Sequence, residues 1–290
     1  MGSKGIKLAN GIGLIVNPQK KEAVDYAAIL VKAAEKYGWP CYIPDKEVAD
    51  AIRLSHNYMH PEELIKKIGI ALSLGGDGTL LNTARFFAKS LIPILGINFG
   101  RFGFLTGTAP QNPEDILTTV ENGNFEIEDR MAIECFLSNG ISSVALNDVV
   151  VSREAIARLI EIEVNINDEY LTTYVADGLI IATPTGSTAH SLSAGGPIVS
   201  PNAKGILLTP LCPHTLTNRP LIVDPTSVIR ISLKSSTKDG LITIDGQQVY
   251  TVNQNDCVII KVAPHPIKLV TLRARSYYEI LRQKLNWGER

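Results

Sequence analysis

The chain has no CxxC pair, no cluster of histidines and no long apolar run. Its four cysteines, Cys41, Cys135, Cys212 and Cys257, lie far apart, which leaves neither a zinc-ligand spacing nor a disulfide framework. The five histidines are equally scattered, so no resident metal is expected. A net charge of −1 over 290 residues gives no general field for a polyanion, so nucleic acid is not an expected partner. No stretch has the length and apolarity of a membrane span and no leader pattern is evident, which predicts a soluble, cytoplasmic protein without a membrane partner. No internal repeat or low-complexity segment stands out.

What is present is a glycine-rich turn between a strand pattern and a helix pattern. Residues 68–74 are apolar almost throughout and predict a buried strand, while 79–88 carry helical spacing. Between them stand Gly75, Gly76, Asp77, Gly78 and Thr79. Glycines let backbone N–H groups approach an anion, and a helix start favours negative charge. The spacing is neither Walker A nor GxGxxG. Asp77 is the odd member, because a carboxylate beside phosphate calls for a chemical reason. Accepting a proton from an attacking hydroxyl is one, and holding Mg²⁺ is another. Asp and Thr are also good helix caps, so a purely structural turn stays open on these residues alone.

Strand and helix patterns alternate through the first third of the chain, with helices expected at 21–37, 48–54, 61–67 and 79–88. That order predicts βαβ units and a parallel sheet. The segment Gly96–Thr106 follows a strand at the end where ligands gather in such sheets. Phe104 within it could stack on an aromatic ring or anchor a core. A short helix is expected at 113–121; from about 125 to 272 the pattern is alternating, and 276–285 returns to helical spacing. The expected fold is therefore α/β + β. An N-terminal Rossmann-like three-layer parallel-sheet domain takes 1–107 plus 272–290, and a C-terminal mainly antiparallel β domain takes 108–271. The last helix returns to the first domain, which alone offers its apolar face a partner.

Two stretches of the second domain carry polar groups in apolar settings. Asn147 and Asp148 interrupt the run Leu146–Val150 and need partners, which a ligand hydroxyl or a turn would supply. Asp177 opens a strand that runs into a small-residue loop holding Ser187, Thr188, His190, Ser191 and Ser193.

Taken together these motifs resemble the NAD kinase family. GGDGT at Gly75–Thr79 is shared with diacylglycerol and sphingosine kinases and, in variant form, with phosphofructokinases. GFLT at Gly103–Thr106, the Asn147-Asp148 pair and DGLIIATPTGSTAHSLSAGGPIVSP from Asp177 follow in the order of the family. So do Leu211–Leu216, Arg219–Leu221, Asp245-Gly246-Gln247 and the terminal segment Tyr277–Trp287. The resemblance implies transfer of a γ-phosphoryl group from ATP (or polyphosphate), with Mg²⁺ carried by ATP, to the 2′-hydroxyl of the adenosine ribose of NAD, giving NADP. It implies Asp77 as the catalytic group, with Gly75, Gly76, Gly78, Thr79 and Phe104 about the nucleotide. It implies Asn147, Asp148, Arg158, Asp177, Ser187, Thr188, Ala189, His190, Ser191, Leu192, Ser193, Asp245 and Gln247 about the dinucleotide, and a homodimer or homotetramer.

Two positions depart from the family pattern. His190 stands where Tyr is usual, and Asp148 where Glu is usual. Histidine keeps a flat ring but titrates, so a KM for NAD that varies between about pH 6 and 8 is expected. The rival readings are a lipid or sugar kinase sharing GGDGT, and a non-catalytic NAD(P)-binding regulator. Lipid kinases share the turn but not the loop at 183–197.

Overall fold

The computed structural model describes residues 6, 8–100, 103–106, 108–153, 159–234, 240–254, 256–272 and 276–287. The chain opens with β1 (Ile12–Val16), α1 (Lys21–Lys36), β2 (Cys41–Tyr42), α2 (Lys46–Ala51) and α3 (Pro61–Lys67). Then come β3 (Ile70–Gly75), α4 (Asp77–Phe87), β4 (Ile94–Asn98), α5 (Pro113–Glu121) and β5 (Glu126–Arg130). A long β region follows: β6 (Ile133–Phe136), β7 (Ser142–Ala145), β8 (Asp148–Arg153), β9 (Ile160–Ile166), β10 (Glu169–Ala176) and β11 (Gly178–Ala182). After the short α6 (His190–Ser193) it continues as β12 (Ile206–Leu211), β13 (Leu221–Val223), β14 (Ile229–Leu233), β15 (Gly240–Ile244), β16 (Gln248–Val252) and β17 (Cys257–Val262). β18 (Ile267–Thr271) and α7 (Tyr277–Leu285) come last.

The chain divides into two compact units, Met1–Asp129 with Ile267–Arg290, and Arg130–Pro266. The sheet of the first runs β2-β1-β3-β4-β18-β5. The pairs β1–β2, β1–β3, β3–β4 and β4–β18 are parallel. Every residue of β3 and of β4 is buried, as the continuous apolar runs predict for strands covered on both faces. α1 turns Ala23, Ala27, Leu30, Val31 and Ala34 into the core at helical spacing and lies against α5. The connection leaving β1 runs to β2 on one side, and the connection leaving β3 runs to β4 on the other. The C-terminal ends of β1 and β3 are thus a topological switch point, where open α/β sheets bind ligands.

The limits read from the sequence, 107/108 and 271/272, fall inside this first unit. α5 belongs to its helical layer, and β5 and β18 are strands of its sheet. A five-residue strand such as β5 or β18 looks the same in sequence whether it edges a parallel sheet or belongs to an antiparallel one. α7 also belongs to this unit, buries Leu281 and sets Lys284 Nζ 6.0 Å from the centre of the Phe104 ring.

The second unit has two six-stranded sheets, β10-β9-β14-β17-β6-β7 and β13-β12-β11-β8-β15-β16, with antiparallel pairing. Their inner faces share one core, to which β8 gives Val149 and Val151 and β11 gives Leu179 and Ile181. Full burial of each such side chain contributes about 1.5–3 kcal/mol. Outward-facing Val150, Ile180, Ala182 and Leu207 make a second apolar patch, covered by Ala194 and Val199 of the small-residue loop. β8 and β11 are therefore apolar on both faces, whereas β14 alternates: Ile229, Ile231 and Leu233 are buried, Arg230 and Ser232 half-buried.

Candidate active site

In the first unit α4 starts at Asp77, two residues ahead of the expected helix start, so Asp77 lies in the first turn where a helix favours a negative charge. Its carboxylate meets four donors. Oδ2 accepts from Phe104 N at 2.9 Å and Leu105 N at 3.4 Å, and Oδ1 from Thr106 N at 3.0 Å and Thr106 Oγ1 at 2.6 Å. A carboxylate offers about four lone-pair sites, so the segment after Gly103 occupies all of them. A Cβ on Gly103 would overlap Asp77 Oδ1, which explains the glycine. The two motifs GGDGT and GFLT are thus one structure held by a single side chain. Thr79 lies back on the turn: Gly76 N donates to its Oγ1 at 3.5 Å, and a Cβ on Gly75 would overlap it.

A cation that the sequence reading missed sits at the switch point. Lys20, three residues beyond Asn17, donates from Nζ to Phe99 O at 3.1 Å. A methyl group on Gly76 would lie 3.3 Å from that Nζ, and one on Gly100 2.8 Å. One lysine ahead of a helix carries no local signal; only the pairing of β1 with β3 brings it to the glycines.

In the second unit the polar pair and the loop also interlock. Asp245 and Gly246, with φ of 50° and 66°, form the left-handed turn that joins β15 to β16. The Asp245 carboxylate accepts from Leu146 N at 3.1 Å, Asn147 N at 2.8 Å and Asp148 N at 3.1 Å. Thr183 Oγ1 donates to Leu146 O at 2.6 Å and accepts from Gly186 N at 3.0 Å. A Cβ on Gly186 would overlap the Asn147 carbonyl oxygen, so the loop rides directly on the backbone of the polar pair.

Other loop hydroxyls are fastenings as well, Thr188 Oγ1 donating to Thr185 O at 3.3 Å. Ser187 Oγ donates to Pro184 O at 2.7 Å and accepts from Val199 N at 3.0 Å; Ser191 Oγ lies 2.9 Å from Thr209 Oγ1. Thr188, Ala189 and Leu192 are half-buried, and His190 and Ser193 are exposed. Asp148 is buried and accepts the backbone N–H of His190. Burial and the neighbouring Asp245 push its carboxyl up to about 7, against which the His190 N–H works. Asp177 pairs with Arg153 at 3.1 Å, a partner that sequence spacing does not reveal. Gln247 is exposed beside the 245–246 turn. Arg158 lies outside the described residues.

The geometry therefore offers a cation set against glycines at one sheet end, and, in the other unit, a buried carboxyl of raised pKa that accepts the backbone N–H of His190 in a partly exposed loop. Comparison with known proteins decides what that combination belongs to. The family model described as the ATP-NAD kinase N-terminal domain matches residues 12–125, and the ATP-NAD kinase C-terminal domain matches 146–272. The chain belongs to the NAD kinase family.

Relatives in the family cover most of its length. The NAD kinase of Carboxydothermus hydrogenoformans is 43% identical over 233 residues, 79% of this chain and 83% of that protein. That of Geobacter sulfurreducens is 44% identical over 234 residues, 79% and 82% of the two. That of Heliobacterium modesticaldum is 38% identical over 281 residues, 96% and 99%. Among solved structures, yeast NADH kinase complexed with NADH superposes with a TM-score of 0.85 at 27% identity, covering 99% of this chain and 89% of that one. An NAD kinase from Archaeoglobus fulgidus shares the fold with a TM-score of 0.72 at 23% identity, over 95% and 98% of the two chains. The α/β and antiparallel units expected from the sequence are the architecture of this family.

Proposed function

We propose that the chain is an NAD kinase, a phosphotransferase with an alcohol group as acceptor. It moves the γ-phosphoryl group of ATP to the 2′-hydroxyl of the adenosine ribose of NAD. An O–P bond forms at the ribose, the bond to the β-phosphate oxygen breaks, and the hydroxyl proton leaves, giving NADP and ADP. The observation that carries this reading is the presence on one chain of both the Asp77-centred turn and the Thr183–Ser193 loop, each within its own family match. A lipid or sugar kinase would account for the first and leave the second without a purpose.

Lys20 Nζ and the backbone at Gly75, Gly76 and Gly78 would meet the donor phosphates, with Thr79 holding the turn and Phe104 packed beside it. Asp77 would accept the proton of the 2′-hydroxyl. Its longest bond, 3.4 Å to Leu105 N, is the one to give way to that hydroxyl. Asn147 and Asp148 would bind hydroxyls of the dinucleotide, with Asp177, Thr188, Ala189, His190, Leu192, Ser193 and Gln247 around it. Ser187, Ser191 and Asp245 would act by holding that surface in shape.

Mg²⁺ belongs with the substrate in this reading. Among the described residues no group of three His, Cys, Asp or Glu side chains is arranged to hold a metal, so the triphosphate would supply its ligands. Polyphosphate is a second donor consistent with a site that reads phosphate through one lysine. A homodimer or homotetramer is supported by the apolar side chains that the second unit leaves exposed, Leu216 at 90% and Val249 at 60% among them. No helix among the described residues is long and apolar enough to cross a membrane, in keeping with a place in the cytoplasm.

The test is NADP formation by the purified chain from NAD and ATP, read with an NADP-specific dehydrogenase, beside arms with diacylglycerol, fructose 6-phosphate and polyphosphate. NADP from NAD is the expected product. Phosphorylation of the lipid or the sugar without NADP would overturn the assignment, and dinucleotide binding without any ATP-dependent product would make the chain a regulator.

A further inference from the structure

A charged pair sits at one end of the sheet that holds β8 and β11. Arg153 closes β8, and Asp177 stands one residue ahead of β11. Arg153 Nη1 lies 3.1 Å from Asp177 Oδ1, and Arg153 N donates to Asp177 O at 3.2 Å. No hydrogen bond from a described residue reaches Asp177 Oδ2. Asp148 pairs with Ala182 at the other end of these strands, about 17 Å away along β11 at the usual rise of a strand.

Stability alone gives this pair little reason to be there. Val149 and Val151 of β8 and Leu179 and Ile181 of β11 face the core, and by alternation Arg153 and Asp177 extend those two rows. Apolar residues would lengthen the core, whereas a guanidinium and a carboxylate must give up water to stand there. The two side chains keep 27% and 32% of their surface exposed, and a pair that open adds little to folding. The backbone leaves room for the guanidinium. Gly240, opposite Arg153 on β15, has no side chain to crowd it. A Cβ on Gly178 would overlap the Val151 carbonyl oxygen, so that glycine lets β11 lie close to β8 beside the pair.

We infer that Arg153 is a positioning residue for NAD, acting through Asp177; the inference rests on the kinase reading above and on Asp177 as part of its dinucleotide site. The guanidinium holds one oxygen of Asp177 and leaves the other to accept from a hydroxyl or an amide of the dinucleotide. It also offsets the charge of a carboxylate that would otherwise repel the pyrophosphate. Asp177 thereby reads a part of the dinucleotide that Asp148, at the other end of the strands, does not.

Steady-state kinetics of the full chain test it. Arg153→Met should raise the KM for NAD about tenfold, as for the loss of a charge-assisted contact, while kcat and the KM for ATP stay within about twofold. Arg153→Lys keeps the charge and should bring the KM for NAD most of the way back. Asp177→Asn should itself raise the KM for NAD. In that background Arg153→Met should move it less than about twofold, because no carboxylate is left to hold. Added salt separates this role from a structural one. Screening weakens the repulsion between a bare carboxylate and the pyrophosphate, so the KM for NAD of Arg153→Met, relative to wild type, should fall as salt rises. Arg153→Gln takes the place of Arg153→Met if the latter does not fold. A KM for NAD that stays at the wild-type value in Arg153→Met, or that rises equally with and without the Asp177 carboxylate, overturns the inference. So does an equal rise in the KM for ATP, or an Asp177→Asn variant with unchanged KM for NAD. Failure of the wild-type chain to make NADP from ATP and NAD would instead sink the kinase reading itself, so the two failures are distinguishable.

Discussion

Asp148 and Asp245 hold one another by two hydrogen bonds: Asp148 N donates to Asp245 Oδ1 at 3.1 Å, and Asp245 N donates to Asp148 O at 2.9 Å. The arrangement fixes a carboxylate beside a buried carboxyl group. Burial first, and then that proximity, raise the Asp148 carboxyl to about 7.

The first consequence is for substrate affinity. Ionised Asp148 is the stronger acceptor for a ribose hydroxyl, so the KM for NAD should fall as pH rises from 6 to 8. The imidazole of His190 was the sequence-based source of such a dependence, but Asp148 titrates in the same window. KM profiles of the wild type, His190→Tyr and Asp148→Asn separate the two. The pH dependence should survive in His190→Tyr and flatten in Asp148→Asn.

The same group sets a pH dependence of folding. Its folded value of about 7 stands above the ordinary aspartate value of 3.8, so between those limits the native state binds more protons than the unfolded chain. Stability from this group therefore falls as pH rises through the window, and above about 7 the full cost remains. Asp148→Asn retains an acceptor for His190 N–H and removes the charge. Thermal melts at pH 5 and pH 8 should show a smaller loss on going to pH 8 in the variant than in the wild type. Equal losses would show that Asp148 is ionised in the folded state at both values.

Asp77→Asn should lower kcat by about 10²–10⁴-fold while the dissociation constant of NAD stays within twofold. One amide N–H₂ must then face the N–H groups of Phe104 and Leu105 or those of Thr106, so the melting temperature should fall as well. Thr106→Val separates the effects. It deletes one donor to Oδ1, and should cost stability of about 1.5–3 kcal/mol with less than a tenfold change in kcat.

Lys20→Met should raise the KM for ATP roughly tenfold or more, as expected for loss of a charge-assisted contact of about 1.5–3 kcal/mol. The KM for NAD should stay within twofold. Equal changes in both constants would assign Lys20 to holding the Phe99 carbonyl and nothing more.

Gly186→Ala should destabilise the second unit by about 1–3 kcal/mol, because its Cβ meets a backbone carbonyl that cannot swing aside. Denaturant unfolding measures it. Gly195, whose added Cβ would meet nothing within 4 Å, is a poor control because its φ of 81° is left-handed; Ser193→Ala, at an exposed position, is the better one.

The sequence made legible whatever is local. The glycines around Asp77, the polar pair at 147–148 and the hydroxyl-rich loop are contiguous, and periodicity shows the strands that flank them. Which groups remain for a ligand is a tertiary matter. Ser187 and Ser191 read as binding groups, yet their hydroxyls are fastened to Val199 and Thr209. Asp245 reads as a site residue, yet three backbone N–H groups occupy its carboxylate. Lys20 and Arg153 read as nothing, because their partners lie 79 and 24 residues away along the chain. The end of the first unit's sheet was missed for the same reason: β18 pairs with β4 across more than 170 residues.

That pairing dictates the order in which the chain can finish folding. β18 lies between β4 and β5, with Leu269 opposite Ile94 and Val270 opposite Leu95. A nascent chain emerging from the ribosome has β1 to β4 in hand early, but the gap between β4 and β5 stays open until residue 271 has been made. The intervening β unit, Arg130–Pro266, contains all the strands of its own two sheets and is complete before then. The half of the protein that is synthesised first is the half that closes last, and the edge of β4 at Ile94 and Leu95 stays unpaired throughout the interval.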